Sequence, residues 1–324
     1  MKAITYKEYG APDVLQVSDV PQPEPKDNEV LIRVRAAEAT KADCEMRSFN
    51  FAVKWFWLPL RIAVGVFKPR RHILGGYFCG EVVSVGSAVT RLSVGDEVYG
   101  GTGLGMGAYA EYLALPESAC VVRKPDTMSY AEAAAVPLGG LNALHFMRRA
   151  QIEAGESVLI NGAGGVIGAH AVQIAKSMGA EVTGVDSSIK QDFLSRIGAD
   201  HAIDYTQQDF TDSGRRYDVI FDMVPGSSYS ACIQCLNPGG RYLSGNPRLS
   251  VMLRSVFTTR FSDKTATFAF ARETQEELTT LTAMIDDGQI QSIVDQVYPM
   301  EEAADAHRLV ETEQRIGAVV IAMG

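Results

Sequence analysis

The stretch Ser157–Lys176, SVLINGAGGVIGAHAVQIAK, decides the fold. Ser157–Ile160 is a short apolar run with the character of a buried strand. Gly162, Ala163, Gly164 and Gly165 follow at once, and Val166–Met178 then has helical composition. Glycine permits a sharp turn and lets a diphosphate approach without meeting a side chain. A helix that starts there directs unpaired N–H groups and its positive dipole end at the anion. Gly168, on the first helical turn, lets helix and strand pack closely. The pattern reads Ala163-x-Gly165-x-x-Gly168, with Val166 and Ile167 inside it. Glycine spacing alone is a weak signal, and the strand before it and the helix after it supply the confirming context. The competing reading is a tight strand–helix turn that holds no ligand.

Downstream, strands and helices alternate. Val182–Val185 reads as a strand, Lys190–Ile197 as a helix and Asp218–Phe221 as a strand. Ser227–Leu236 reads as a helix and Arg241–Ser244 as a strand. That spacing implies βαβ units and a doubly wound parallel sheet of the Rossmann type, an α/β fold. Upstream, Val30–Arg35, Gly80–Val85, Gly95–Tyr99 and Ala108–Leu115 are short strand-like runs separated by turns. After about Asn246 the alternation stops. Thr265–Ala271, Thr274–Ile285, Glu301–Val310 and Gly317–Met323 read as strand, helix, helix and strand. They cannot finish the parallel sheet alone, so they are expected to return to the first domain. The division is 1–127 plus 264–324 for a β-rich domain, and 128–263 for the Rossmann domain.

Composition narrows the function. Hydrophobic residues at 46% are too many for a disordered chain. A net charge of -9 argues against nucleic acid, which needs a clustered basic surface. Five cysteines, an odd and scattered set, do not form a disulfide framework. Cys232-x-x-Cys235 reads as two packed thiols on a helix rather than a redox pair. The opening MKAITYKEYG lacks the pattern of a secretion signal, so a cytoplasmic protein is expected. Phe49–Phe67 is apolar but holds Asn50, Lys54, Arg61 and a central Pro59, a poor membrane span. It reads as a buried or half-buried insertion in preference to a membrane contact. With Phe49, Phe51, Trp55, Phe56 and Trp57, it is expected to wall or cover an apolar substrate pocket. Leu249–Phe261, apolar and basic, is expected to flank the same cleft.

Asp186 closes the strand after the glycine turn. A carboxylate there accepts hydrogen bonds from a ribose 2′-hydroxyl, which favours NAD. Ser187, Ser188 and Lys190 follow immediately, and hydroxyls with a lysine suit the 2′-phosphate of NADP. A third reading makes Asp186 a cap for the next helix. Ser244 and Gly245 end a strand at the carboxyl edge of the sheet, where such folds bind ligands.

The sequence is identified as a member of the quinone oxidoreductase branch of the medium-chain dehydrogenase/reductase superfamily. The segments that carry the likeness are MKAITYKEYGAPDVL, GEVVSVGSAVTRLSVGDEVYG, EAAAVPLGGLNALH, the glycine motif, YDVIFDMV, NPGGRYLSG and IGAVVIAMG. The resemblance implies a GroES-like catalytic domain with the Rossmann domain inserted, a cleft between them, and a homodimer. Zinc-using relatives ligate their catalytic metal at places that fall here on Thr40, Gly76 and Leu138, none of which binds zinc. The resemblance therefore implies no metal. Alcohol oxidation is then disfavoured, and hydride transfer from NADPH, or alternatively NADH, to a quinone or α,β-unsaturated carbonyl is expected. It also implies site residues: Thr40, Asp43 and Tyr77 on the substrate side, Asn142 facing the nicotinamide, Lys190 and Tyr205 on the adenosine phosphate, and Phe268 near the cofactor. Two alternatives stay open: an enoyl-thioester or alkenal reductase, and a dinucleotide-binding structural or regulatory protein with little turnover.

Overall fold

The computed structural model describes the 324 residues except 52–56, 247 and 270, and omits the Leu104 side chain. The chain begins with strands β1 (Lys2–Thr5), β2 (Gln16–Asp19) and β3 (Glu29–Ala39), followed by helices α1 (Lys41–Ser48) and α2 (Trp57–Val64). Strands β4 (Tyr77–Val85), β5 (Glu97–Gly101), β6 (Tyr112–Pro116) and β7 (Val121–Arg123) come next, then helices α3 (Tyr130–Ala134) and α4 (Val136–Ala150). Ser129 and Glu132 cap α3 reciprocally, and Pro137 in the first turn of α4 breaks the run in two.

The central alternation runs β8 (Ser157–Asn161), α5 (Val166–Ser177), β9 (Glu181–Asp186), α6 (Gln191–Arg196), β10 (His201–Asp204) and β11 (Tyr217–Asp222). It continues with α7 (Tyr229–Gln234), β12 (Leu236–Ser244), α8 (Leu249–Phe261), β13 (Thr265–Phe268) and α9 (Gln275–Asp286). The last elements are β14 (Val294–Pro299), α10 (Ala303–Thr312) and β15 (Ala318–Ala322).

Two large sheets organise these pieces. The six-stranded sheet has the order β10-β9-β8-β11-β12-β13, all parallel. Its central strands are nearly continuous apolar runs because helices cover both faces. The seven-stranded sheet runs β14-β15-β3-β4-β5-β7, with β6 on β3. There the two ends of the chain meet: Ala39 pairs with Val319 and Ala36 with Ala322. One apolar cluster joins α3, α4, α5 and α9 to Cys79 and Tyr99, so the two sheets share a packed boundary.

Several sequence expectations shift. β13 joins the Rossmann sheet, which therefore continues past residue 263, because α8 is the crossover that brings a sixth parallel strand alongside β12. Lys190 closes a 3-10 turn, so the helix begins at Gln191. The helix expected to end at Leu236 stops at Gln234, since Leu236 pairs with Tyr217. Phe49 and Phe51 of the aromatic insertion are buried, and their rings stack edge-on at 5.2 Å. Arg61 lies over Phe49 and Tyr9. Trp57, Leu58, Ile62 and Phe67 are exposed instead of buried, and Trp55 and Phe56 lie outside the described residues.

Candidate functional site

β8 delivers the chain into Gly162, which has φ 86°, and Gly165 is the cap residue of α5. No side chain caps that helix, so its first N–H groups have no side-chain acceptor. The N–H groups of Gly162 and Ala163 both donate to Val185 O at 3.0 Å, which ties the turn to β9. A Cβ on Gly168 would lie 2.2 Å from Gly162 O and 2.6 Å from Ala163 Cα, so only glycine lets helix and turn approach this closely. A Cβ on Gly165 would meet only Gly162 O, at 3.5 Å, so space lies open over the turn. Val166 and Ile167 begin the helix beneath it.

Asp186 does something the sequence does not disclose. It is buried, and its Oδ2 accepts from Gly164 N at 2.8 Å while Oδ1 accepts from Ser187 N at 2.8 Å. Lys190 Nζ stands 3.5 Å from the same carboxylate. The carboxylate therefore braces the glycine turn, with both oxygens engaged. Lys190 is buried too, and its ammonium donates to Glu313 O at 3.1 Å, across to the catalytic domain. Glu313 in turn forms an ion pair with Lys41, the first residue of α1. Ser188 and Tyr205 remain exposed at the rim, and Ser187 is half-buried between them.

The carboxyl edge of the parallel sheet brings further residues into line. Asn161, Asp222, Ser244 and Phe268 pair across successive strands. Asp222, missed in the sequence, accepts from Asn161 Nδ2, Val224 N and Ser227 Oγ at 3.0 Å and from Tyr242 Oη at 2.8 Å. Burial raises its carboxyl above the ordinary aspartate range against those bonds. Gly245 donates to Asp222 O. This network fixes the sheet edge where Phe268 and Ser244 end.

On the opposite wall, Thr40 caps α1 and Asp43 completes a capping box. Thr40 Oγ1 donates to Asp43 Oδ2 at 2.5 Å, and Gly75 N donates to Asp43 Oδ1 at 3.0 Å. Asp43 thus orients Thr40 and the Gly75–Gly76 turn; its oxygens are spent on positioning. Above Gly76 a Cβ would meet nothing within 4 Å. Tyr77 starts β4, and its phenol donates to Glu273, a residue of the segment after β13 that no local pattern singles out. Burial and the Glu273 charge hold the Tyr77 proton well above the usual phenol range. Asn142 is half-buried on α4, and its Nδ2 donates to Leu138 O at 2.9 Å.

Behind this wall lies a buried polar cluster. Tyr109 Oη and His307 Nε2 are 3.1 Å apart, and His307 Nδ1 faces Cys44 Sγ at 3.4 Å and an Arg47 nitrogen at 3.2 Å. Glu38 is wholly buried, and neither carboxyl oxygen has a hydrogen-bond partner. Burial drives its carboxyl well above the glutamate range, although Arg315 pulls it down. The folded chain then binds a proton there that the unfolded chain has released, so stability falls as pH rises from the ordinary glutamate value through the raised one. Glu38→Gln is expected to flatten that slope in melts recorded across pH. An unchanged slope would exclude Glu38 as its source. Cys232 and Cys235, by contrast, are buried free thiols, raised by desolvation and packed around β11, Tyr229 and Tyr242 rather than in the cleft.

A parallel sheet with an open glycine turn, packed against a β-rich domain, defines an alcohol-dehydrogenase-like oxidoreductase. Residues 26–126 match the alcohol dehydrogenase GroES-like domain, and 197–321 match the zinc-binding dehydrogenase family. The chain is 32% identical over 99% of its length, and 79% of the relative's, to a 2-methylene-furan-3-one reductase of Solanum lycopersicum. It is 31% identical to a quinone oxidoreductase of Pseudomonas aeruginosa, over 99% of each chain. The solved quinone oxidoreductase of Coxiella burnetii superposes with TM-score 0.89 at 29% identity, covering 100% of this chain and 99% of that one. The chain belongs to the medium-chain dehydrogenase/reductase superfamily, in its quinone oxidoreductase branch.

The residues fit a nicotinamide dinucleotide: the open turn and the uncapped helix start suit a diphosphate. They do not fit a catalytic zinc. Thr40, Gly76 and Leu138 offer no thiolate, imidazole or carboxylate. Among the described residues no three His, Cys, Asp or Glu side chains gather into a metal-binding group.

Proposed function

We propose that the chain reduces a quinone or the conjugated C=C bond of an enone, with NADPH as reductant and no metal. The observations that carry this are the uncapped glycine turn in the Rossmann domain and the open space over Gly76, beside Thr40 and Tyr77, in the other. NADPH, when bound, supplies the hydride. The glycine turn would let the diphosphate approach, and the N–H groups of Val166 and Ile167 at the uncapped start of α5 would hold it, with Ser244, Gly245 and Phe268 along the sheet edge. The engaged carboxylate of Asp186 supports NADPH over NADH, because both of its oxygens already accept backbone N–H groups. Ser187, Ser188 and Tyr205 at the rim would take the 2′-phosphate, with Lys190 swinging out from Glu313 O.

Thr40 and Tyr77 are the hydroxyls of the substrate side. Thr40 is locked to Asp43, and Tyr77 keeps its proton throughout the physiological range. Tyr77 would donate toward the acceptor's oxygen, as the enolate or hydroquinone forms, by turning its single proton away from Glu273. Asn142 would pack beside the nicotinamide. Tyr77→Phe is expected to lower kcat about a hundredfold with dinucleotide affinity unchanged. Unaltered turnover of an enone panel would remove Tyr77 from the mechanism. NADPH oxidation with quinone and alkenal acceptors tests the whole reading, and no acceptor above background would favour a dinucleotide-binding protein without turnover. An enoyl-thioester acceptor belongs in the same panel.

The free edge of β13 offers a place for a second copy to extend the sheet, as a homodimer would. Among the described residues no helix is long and apolar enough to cross a membrane.

A further inference from the structure

A helix on a protein surface ordinarily turns its apolar face inward. Helix α2, WLPLRIAV, buries no residue at all. Its charged member is the one that faces in: Arg61 lies 4.3 Å over the Tyr9 ring and 4.2 Å over the Phe49 ring. Leu58 and Ile62, one turn apart, are instead 61% and 57% exposed. The turn beyond the helix continues the pattern, with Val66 exposed and Phe67 92% exposed. Hydrogen bonds hold this tip in shape: Tyr9 Oη donates to Gly65 O at 2.9 Å, and Arg70 N donates to Val64 O at 2.8 Å. The apolar side chains therefore stand outward from an anchored backbone.

The charge here is as one-sided as the polarity. No Asp or Glu occurs between Glu45 and Glu81, in a chain that holds 39 of them. Lys68, Arg70 and Arg71 follow the tip at once, and all three are exposed. Trp57, on the first turn of α2, is exposed as well, and its amphipathic ring is of the kind that settles at a membrane–water boundary. The result is an apolar, cationic tip on a molecule of net charge -9. The tip belongs to the catalytic domain, whereas the free edge of β13 belongs to the Rossmann sheet. A second copy that extends that sheet does not account for it.

We propose that this tip seats the catalytic domain on an anionic lipid bilayer, with Leu58, Ile62, Val66 and Phe67 at the boundary of headgroups and acyl chains and Lys68 and Arg70 on the lipid phosphates. A helix that lies in the interface plane needs apolar residues on one side and basic residues beside them. At eight residues, α2 is long enough to lie in that plane and far too short to span a bilayer. Anionic headgroups complement the charge of the segment, which no acidic side chain of its own offsets. The Gly75–Gly76 turn lies only a few residues past Arg71. A quinone or enone with an apolar tail partitions into a bilayer, so the docked domain would meet its acceptor there. That consequence rests on the reductase reading, and the docking does not.

The chain's two tryptophans, Trp55 and Trp57, both fall in this segment, so tryptophan emission reports on it alone. The test mixes the full chain with vesicles of phosphatidylcholine alone and with one-third phosphatidylserine, the phosphatidylcholine brominated in its acyl chains. Pelleting and quenching of the emission are expected with the anionic vesicles only, and both should weaken as salt is raised. Lys68→Gln should lower the partition coefficient about fivefold. Ile62→Ser with Phe67→Ser should abolish pelleting while the melting transition persists, since both side chains are exposed. No turnover enters these measurements, so they succeed or fail apart from the reductase reading. Equal pelleting with neutral vesicles, no pelleting with either, or pelleting without quenching overturns the proposal. So does an Ile62→Ser, Phe67→Ser protein that still pellets, or one that falls to a smaller assembly in sedimentation velocity, which would assign the tip to a second copy.

Discussion

Replacing Asp186 with Ala should weaken NADPH and NADH together, each by at least tenfold, and lower the stability of the chain. A carboxylate that selects for a ribose hydroxyl would affect NADH alone. Here the Asp186 oxygens accept from Gly164 N and Ser187 N, and Lys190 stands 3.5 Å away in the same buried pocket. Removing one member of a buried pair strands the other, a loss of about 3–5 kcal/mol in comparable cases. Lys190 retains its bond to Glu313 O, which softens that loss toward the lower end. Isothermal titration with both coenzymes, alongside a thermal melt, reads the two effects. A rise in the NADH dissociation constant alone, with NADPH binding and melting intact, would return Asp186 to the ribose.

Gly168→Ala is the second large effect. Its Cβ would lie 2.2 Å from Gly162 O and 2.6 Å from Ala163 Cα, and both neighbours are backbone, so neither can rotate away. Either α5 slides along β8 or the glycine turn opens. Both outcomes displace the N–H groups that face a diphosphate. Overpacking of this kind costs about 1–3 kcal/mol, and the binding loss should exceed what that destabilisation explains, by at least tenfold in dissociation constant. Gly76→Ala is the matching control, because its Cβ meets nothing within 4 Å and should leave stability unchanged. If Gly168→Ala binds NADPH normally, the turn is not the coenzyme's seat.

What the sequence discloses here follows from how local each feature is. The turn at 162–168 is legible because strand, glycines and helix are consecutive, and the chemistry of glycine is the same wherever it stands. Thr40 with Asp43 was nameable from family resemblance, yet the capping box that joins them needed only the two residues three apart. Tyr77 with Glu273 and Lys190 with Glu313 were invisible, since each pair is assembled by packing between distant segments. Asp186 stayed open in the sequence for a subtler reason: a carboxylate at a strand end suits a ribose or a cap alike, and nothing in the sequence shows that Gly164 N lies within its reach. The stretch Leu249–Phe261 reads as an apolar and basic flank of the cleft, and composition does not reveal that the fold turns Leu253, Phe257 and Phe261 outward.

The pairing of β15 with β3 has a consequence for how the chain is made. Every strand of the Rossmann sheet lies within one unbroken stretch, from β8 to β13. That half is able to assemble while synthesis continues. The other sheet needs Val319 beside Ala39 and Ala322 beside Ala36, strand partners from opposite ends of the chain. Until residues 318–322 have left the ribosome, β3 presents a bare flank to solvent or to a chaperone. The coenzyme half would thus wait, already built, for its lid to be stitched shut by the final strand.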